Sequence, residues 1–86
     1  MLPLNYAILK YYTTHDEADA DDVMNSLQGT YGNFKSFKKA SVVESLMTAH
    51  ANGLLDETSY RLDGDELRVF YKVNDYGMDM INSYIK

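Results

Sequence analysis

The side chains able to do chemistry in these 86 residues are two histidines, thirteen carboxylates, eight Lys/Arg and a scatter of serines, with no cysteine. His15 stands beside Asp16 and Glu17, but one imidazole in a polar turn falls short of HExxH or any open three-ligand zinc pattern. His50, near the end of a helical stretch, suits a structural, partly buried place favoured by the helix dipole. Asp63-Gly64-Asp65-Glu66 has calcium-type oxygens without the EF-hand order or its twelfth-position Glu, and reads as a turn. There is no Gly-x-Ser-x-Gly elbow and no glycine-rich loop before a Lys-Ser/Thr pair, and the missing thiols remove cysteine nucleophiles. The reading is therefore of a non-enzymatic protein with no cofactor and no metal. What remains is phosphate chemistry. Lys35, Ser36, Lys38, Lys39 and Ser41 form one cluster, and Arg61, Arg68 and Lys72 recur in an alternating segment; cations of this kind bind phosphates and hydroxyls reach backbone or base edges.

These residues must be positioned by a single domain spanning residues 1–86, since two cores would each need roughly 50 residues. With 45% apolar and 24% charged residues the chain is globular in composition. No apolar run approaches the ~20 residues of a membrane span. Met1-Leu2-Pro3-Leu4-Asn5-Tyr6 lacks the basic start of a signal peptide, so a cytoplasmic protein with no membrane association is expected. Leu4 to Tyr12 carries apolar residues at helical spacing on two adjoining stripes. Asp19, with Asp22 three residues on, forms a shortened capping box for a second helix. That helix buries Ala20, Val23, Met24 and Leu27 and is expected to stop at Gly29 to Gly32. Ser36 is the expected N-cap of a third helix running to about Asn52, with Gly53 at its left-handed C′ position.

In that third helix the buried stripe is Val42 or Val43, Leu46, and Ala49 or His50, with Leu55 closing over the end and Lys38, Lys39, Ser41, Glu44 and Ser45 outward. Beyond Asp56 the period changes to two. Thr58–Leu62 and Leu67–Val73 alternate around the turn at Asp63-Gly64-Asp65-Glu66, predicting a β-hairpin. One face carries Tyr60, Leu62, Leu67, Val69, Tyr71 and Val73 and is expected to be core. The other carries Ser59, Arg61, Arg68, Phe70 and Lys72. Asn74 then caps a last helix from Asp75 to about Ile85.

Helix, helix, helix, hairpin, helix is the layout of a winged helix-turn-helix domain, mainly α with a β-hairpin wing. The stretch from Val42-Val43-Glu44-Ser45-Leu46 to Asn52-Gly53-Leu54-Leu55-Asp56-Glu57 resembles a recognition helix ending in the Gly-Leu-Leu/Ile turn of winged-helix regulators. Phe70-Tyr71-Lys72-Val73-Asn74-Asp75-Tyr76-Gly77 resembles the wing exit and final-helix start of PadR-like transcriptional regulators. The resemblance extends over about residues 4 to 85. It implies a DNA-binding transcriptional regulator whose third helix enters the major groove of double-stranded DNA.

Charge distribution qualifies that expectation. The chain has net charge −5, which argues against binding polyanions through overall potential. Yet residues 35–55 are net +2, while residues 1–34 are net −4. The expected contacts are Lys35, Lys38 and Lys39 on phosphates, Ser36 and Ser41 on backbone or base edges, and Arg61, Arg68 and Lys72 on flanking phosphates. Against this stand the acidic wing tip and Glu44, which either accepts from cytosine N4 or opposes binding. The run Asp16-Glu17-Ala18-Asp19-Ala20-Asp21-Asp22 holds more carboxylates than capping requires. The competing reading is a non-DNA-binding protein-interaction module that uses the acidic helix-two or wing-tip surface against a basic protein partner. Tyr6, Tyr60, Tyr71, Tyr76 and Tyr84 are expected at the core edge, with Tyr31 and Phe34 freer for contact. Both terminal helices show apolar residues on more than one face, which predicts a homodimer through them.

Overall fold

The computed structural model describes residues 1–85. Its order is α1 (Leu4–Thr14), α2 (Ala20–Tyr31), α3 (Lys39–Ala51), β1 (Leu55–Asp63), β2 (Glu66–Val73) and α4 (Asp75–Tyr84). Ile8 and Tyr12 from α1, Val23 from α2, Val42, Leu46 and Ala49 from α3, Leu55 and Tyr71 meet in the main core. Each helix contributes one stripe at 3.6-residue spacing, which is why the three pack around a common centre. Val42 and Ala49, not Val43 and His50, turn inward.

Local signals set most boundaries. Asp19 caps α2: its Oδ1 accepts from the Asp22 N–H at 2.9 Å, and Asp22 Oδ2 accepts from the Asp19 N–H at 3.1 Å. Asn74 caps α4 by accepting from the Gly77 N–H at 2.7 Å, while its amide donates to the Gly53 carbonyl at 2.8 Å. Gly53 takes φ +82°, the left-handed conformation that ends α3. Gly77 has a different reason to lack a side chain. A Cβ there would lie 2.1 Å from the Leu54 carbonyl oxygen, so the first turn of α4 can seat on the end of α3 only as glycine.

The starts of α3 and β1 differ from expectation, β1 beginning at Leu55 and not at Thr58. α2 stops where expected, at Tyr31 with Gly32 as its C-cap, and the Tyr31 ring is buried with Ala7 and Phe37 while its hydroxyl donates to the Leu2 carbonyl. Burial of that ring outweighs the ~1 kcal/mol that a glycine costs inside a helix. The residue at the N-cap position of α3 is Lys38, not Ser36. Burial of Phe37 draws the preceding chain into turns in which Phe34 and Phe37 donate to the Tyr31 and Phe34 carbonyls.

The hairpin pairs Tyr60 with Val69, Arg61 with Arg68 and Leu62 with Leu67, and a bulge falls between Glu57 and Ser59. The alternation is as expected but the core assignment of one face is not. Tyr71 is buried and Val69 and Val73 are half-buried, whereas Tyr60 and Leu62 are each 73% exposed and Leu67 is 56% exposed. Nine residues of strand extend about 30 Å, further than the helices beneath can cover. Residue 18 adds a single antiparallel bridge to the outer edge of β2: Ala18 and Tyr71 exchange hydrogen bonds of 3.0 and 2.9 Å. The Tyr12 hydroxyl donates to the Ala18 carbonyl at 2.8 Å, and burial pushes that phenol's pKa upward. α1 also packs on α4, where Ile81 and Ile85 are buried.

Of the five tyrosines expected at the core edge, Tyr71 is buried and the other four, Tyr6, Tyr60, Tyr76 and Tyr84, are exposed. Tyr12 and Tyr31 join Tyr71 in the interior. Tyr31 is therefore not a free contact residue. Among the described residues, no helix is long and apolar enough to cross a membrane.

Candidate nucleic-acid interface

α2 and α4 begin on residues whose side chains accept from their own first-turn amides; α3 does not. Lys38 makes no side-chain cap and the first turn of α3 carries no carboxylate. The first N–H groups of that helix therefore keep no intrahelical or capping partner, which is the condition for binding an anion. Lys35 and Lys38 are exposed beside this end, and among the described residues neither enters an ion pair.

The other cations are differently placed. Lys39 Nζ lies 3.1 Å from Asp21 Oδ1 and also bonds Glu66. Arg68 reaches Asp19 Oδ2 through Nε and Nη2, each at 2.6 Å, with Asp21 and Asp63 further out at 3.8 Å. Lys72 Nζ is 3.5 Å from Asp16. Arg61 is exposed, and its guanidinium sits 5.4 Å from the centroid of the Phe70 ring, which Arg68 approaches at 5.6 Å. The two arginines thus share an aromatic platform from directly opposed strand positions.

Asp19 is the hub of this arrangement. Burial disfavours its charge, but the Asp22 amide and the Arg68 guanidinium outweigh that penalty and hold its carboxyl below the usual aspartate range. Sequence reasoning assigned Asp19 only to capping. A partner 49 residues away leaves no periodic signature; the Ala18–Tyr71 bridge sets the start of α2 beside β2.

The acidic run is consumed in the same way. Asp16 meets Lys72, Glu17 accepts from Thr58, Asp19 holds Arg68, Asp21 holds Lys39 and Asp22 completes the capping box. The carboxylates beyond capping fasten the start of α2 to the hairpin and to α3. Of these carboxylates Asp19 is buried, while Asp16 and Glu17 stay exposed.

Ser36 and Ser41 line a groove of about 410 Å3 between α1 and α3 with Asn5, Glu44 and Thr48. Ser45 crosses it to donate to Asn5 at 2.8 Å. Ser36 is exposed and Ser41 half-buried. The residues of α3 that face solvent include Ala40, Val43, Glu44, Met47, Thr48 and Ala51, so beyond Lys39, which is held by Asp21 and Glu66, the exposed arc carries a carboxylate and no Lys or Arg. His50 accounts for itself structurally, with Nδ1 2.9 Å from the Leu55 carbonyl oxygen.

No family model matches this chain, and no curated protein does. Among solved structures, the chain superposes on Bacillus subtilis PadR, crystallised in complex with operator DNA, with a TM-score of 0.73 and 21% identity. The match covers 96% of this chain and 47% of that one, so the chain spans about half the length of that protein. The fold is a winged helix-turn-helix of PadR type: three helices, an antiparallel hairpin as wing, and a closing helix.

Proposed function

We propose that the chain is a transcriptional regulator without enzymatic activity that binds double-stranded DNA by setting the N-terminal end of α3 in the major groove. The start of that helix carries the reading: uncapped amides flanked by Lys35 and Lys38, two cations with no carboxylate partner among the described residues. Ser36 and Ser41 supply backbone or base-edge contacts, and Arg61 reaches a flanking phosphate from the hairpin. Lys39, Arg68 and Lys72 join only by exchanging a carboxylate for a phosphate, which lowers their net contribution. Likeness of fold to a chain solved on operator DNA supports the same assignment.

Duplex binding measured against salt tests it. Contacts from Lys35, Lys38 and Arg61 alone give a slope of log K against log salt of about −3 per protomer, and all six cations about −5. Lys35→Glu with Lys38→Glu abolishes binding while the thermal transition is retained. No detectable duplex binding at low salt removes the reading. The domain acts as a homodimer through α1 and α4, which carry the exposed Tyr6 and Tyr84. Sedimentation equilibrium checks this, and a monomer at every concentration excludes it.

A further inference from the structure

Between α3 and the hairpin runs a groove walled by Val43, Met47, Leu67 and Val69. Leu62 pairs with Leu67 and Tyr60 with Val69, so both lie on the same face of the hairpin and carry the apolar strip outward along the wing. Met47 is 59% exposed. Five large apolar side chains, Val43, Met47, Tyr60, Leu62 and Leu67, are therefore open to solvent on one side of the molecule. Contiguous apolar exposure of this kind marks interaction sites on soluble proteins.

Charge selects the occupant. Glu57 and Asp65 are exposed on the hairpin that frames the strip, Arg61 stands on the hairpin's opposite face, and the lining cation, Lys39, is already held by Asp21 and Glu66. A DNA backbone offers nothing to cover leucines and is repelled by those carboxylates. A second copy of this chain covers the leucines but brings the same carboxylates against their equals. A protein segment bearing apolar side chains on one side and Lys/Arg on the other satisfies both features.

We infer that the groove between α3 and the outer hairpin docks a basic amphipathic segment of a protein partner. The inference does not depend on the DNA reading. Because the segment lies against the face of α3 nearest the wing, it competes with any duplex that engages that helix.

The test uses the full chain and two designed helical peptides with the same leucine face, one with lysines and one with glutamates opposite. Methyl and amide NMR titration with the lysine peptide is expected to shift Val43, Met47, Leu62 and Leu67. Leu62→Ser with Leu67→Ser, which leaves charge unchanged, weakens binding by about tenfold or more. The glutamate peptide does not bind. Unchanged affinity in the double variant would reduce the effect to general attraction by an acidic protein and overturn the proposal. Equal binding of the glutamate peptide overturns the charge argument. Self-association of the free chain that the double variant abolishes assigns the groove to a second copy instead. Should the double variant lose its thermal transition, Met47→Ser serves in its place and is judged by the same affinities.

Discussion

The two ends of the hairpin differ more than its alternating sequence suggests. At the end nearest the helices, Leu55 and Tyr71 are buried and Ala18 bridges the edge of β2. At the far end the same face of the same ladder exposes Tyr60, Leu62 and Leu67, and the turn carries only acids and a glycine. Alternation fixes which side of the ribbon a residue occupies. Whether that side is covered depends on how far the helices beneath extend. A wing can thus be half structural element and half presented surface, with the boundary near Val69.

The contrast can be broken deliberately. The largest effect is expected at the covered end: Leu55→Ala removes a fully buried side chain and costs about 2 to 5 kcal/mol of stability, read by urea denaturation. Next comes the hub that fastens the edge. Asp19→Ala loses the α2 cap at about 1 kcal/mol and also loses the ion pair with Arg68. Asp19 has a folded pKa below its unfolded value, so its contribution is present above about pH 4 and is lost as pH falls through the folded value. Asp19→Asn therefore flattens the acid limb of the stability–pH curve. An acid limb of unchanged steepness would show that the carboxylate is not held below its usual range. The smallest effect is expected at the open end, where Tyr60→Ala stays within about 0.5 kcal/mol. A large loss there would mean that the outer hairpin is covered in solution.

The same contrast governs the charges. Counting cations by element suggests six groups converging on a duplex, yet Lys39, Arg68 and Lys72 are each bound to carboxylates of the run at 16–22. Lys35, Lys38 and Arg61 stay outside those pairs. The acidic run is balanced by the same contacts, so the features that looked most like a DNA-binding set and a protein-docking patch partly cancel. Net charge by segment cannot register this, since it treats neighbours in sequence as neighbours in space.

Much of the architecture was legible beforehand. The order of elements, the Asp19/Asp22 capping box, the Asn74 cap, the Gly53 terminator and the hairpin turn all depend on side chains acting within four residues of themselves, and local chemistry determines them. The start of α3 departs from expectation where Phe37 finds a buried site, because burial of an aromatic ring outweighs a local propensity. The exposed apolar wing was not legible, because alternation predicts a first strand of only Thr58–Leu62, whereas β1 starts at Leu55 and the ribbon of about 30 Å outreaches the helices. Tertiary structure alone decided which cations keep their charge free and which leucines stay wet. Those outcomes depend on contacts such as Lys39 with Glu66 and Arg68 with Asp19, 27 and 49 residues apart, and such pairs are set by how elements pack, which no period in the sequence records.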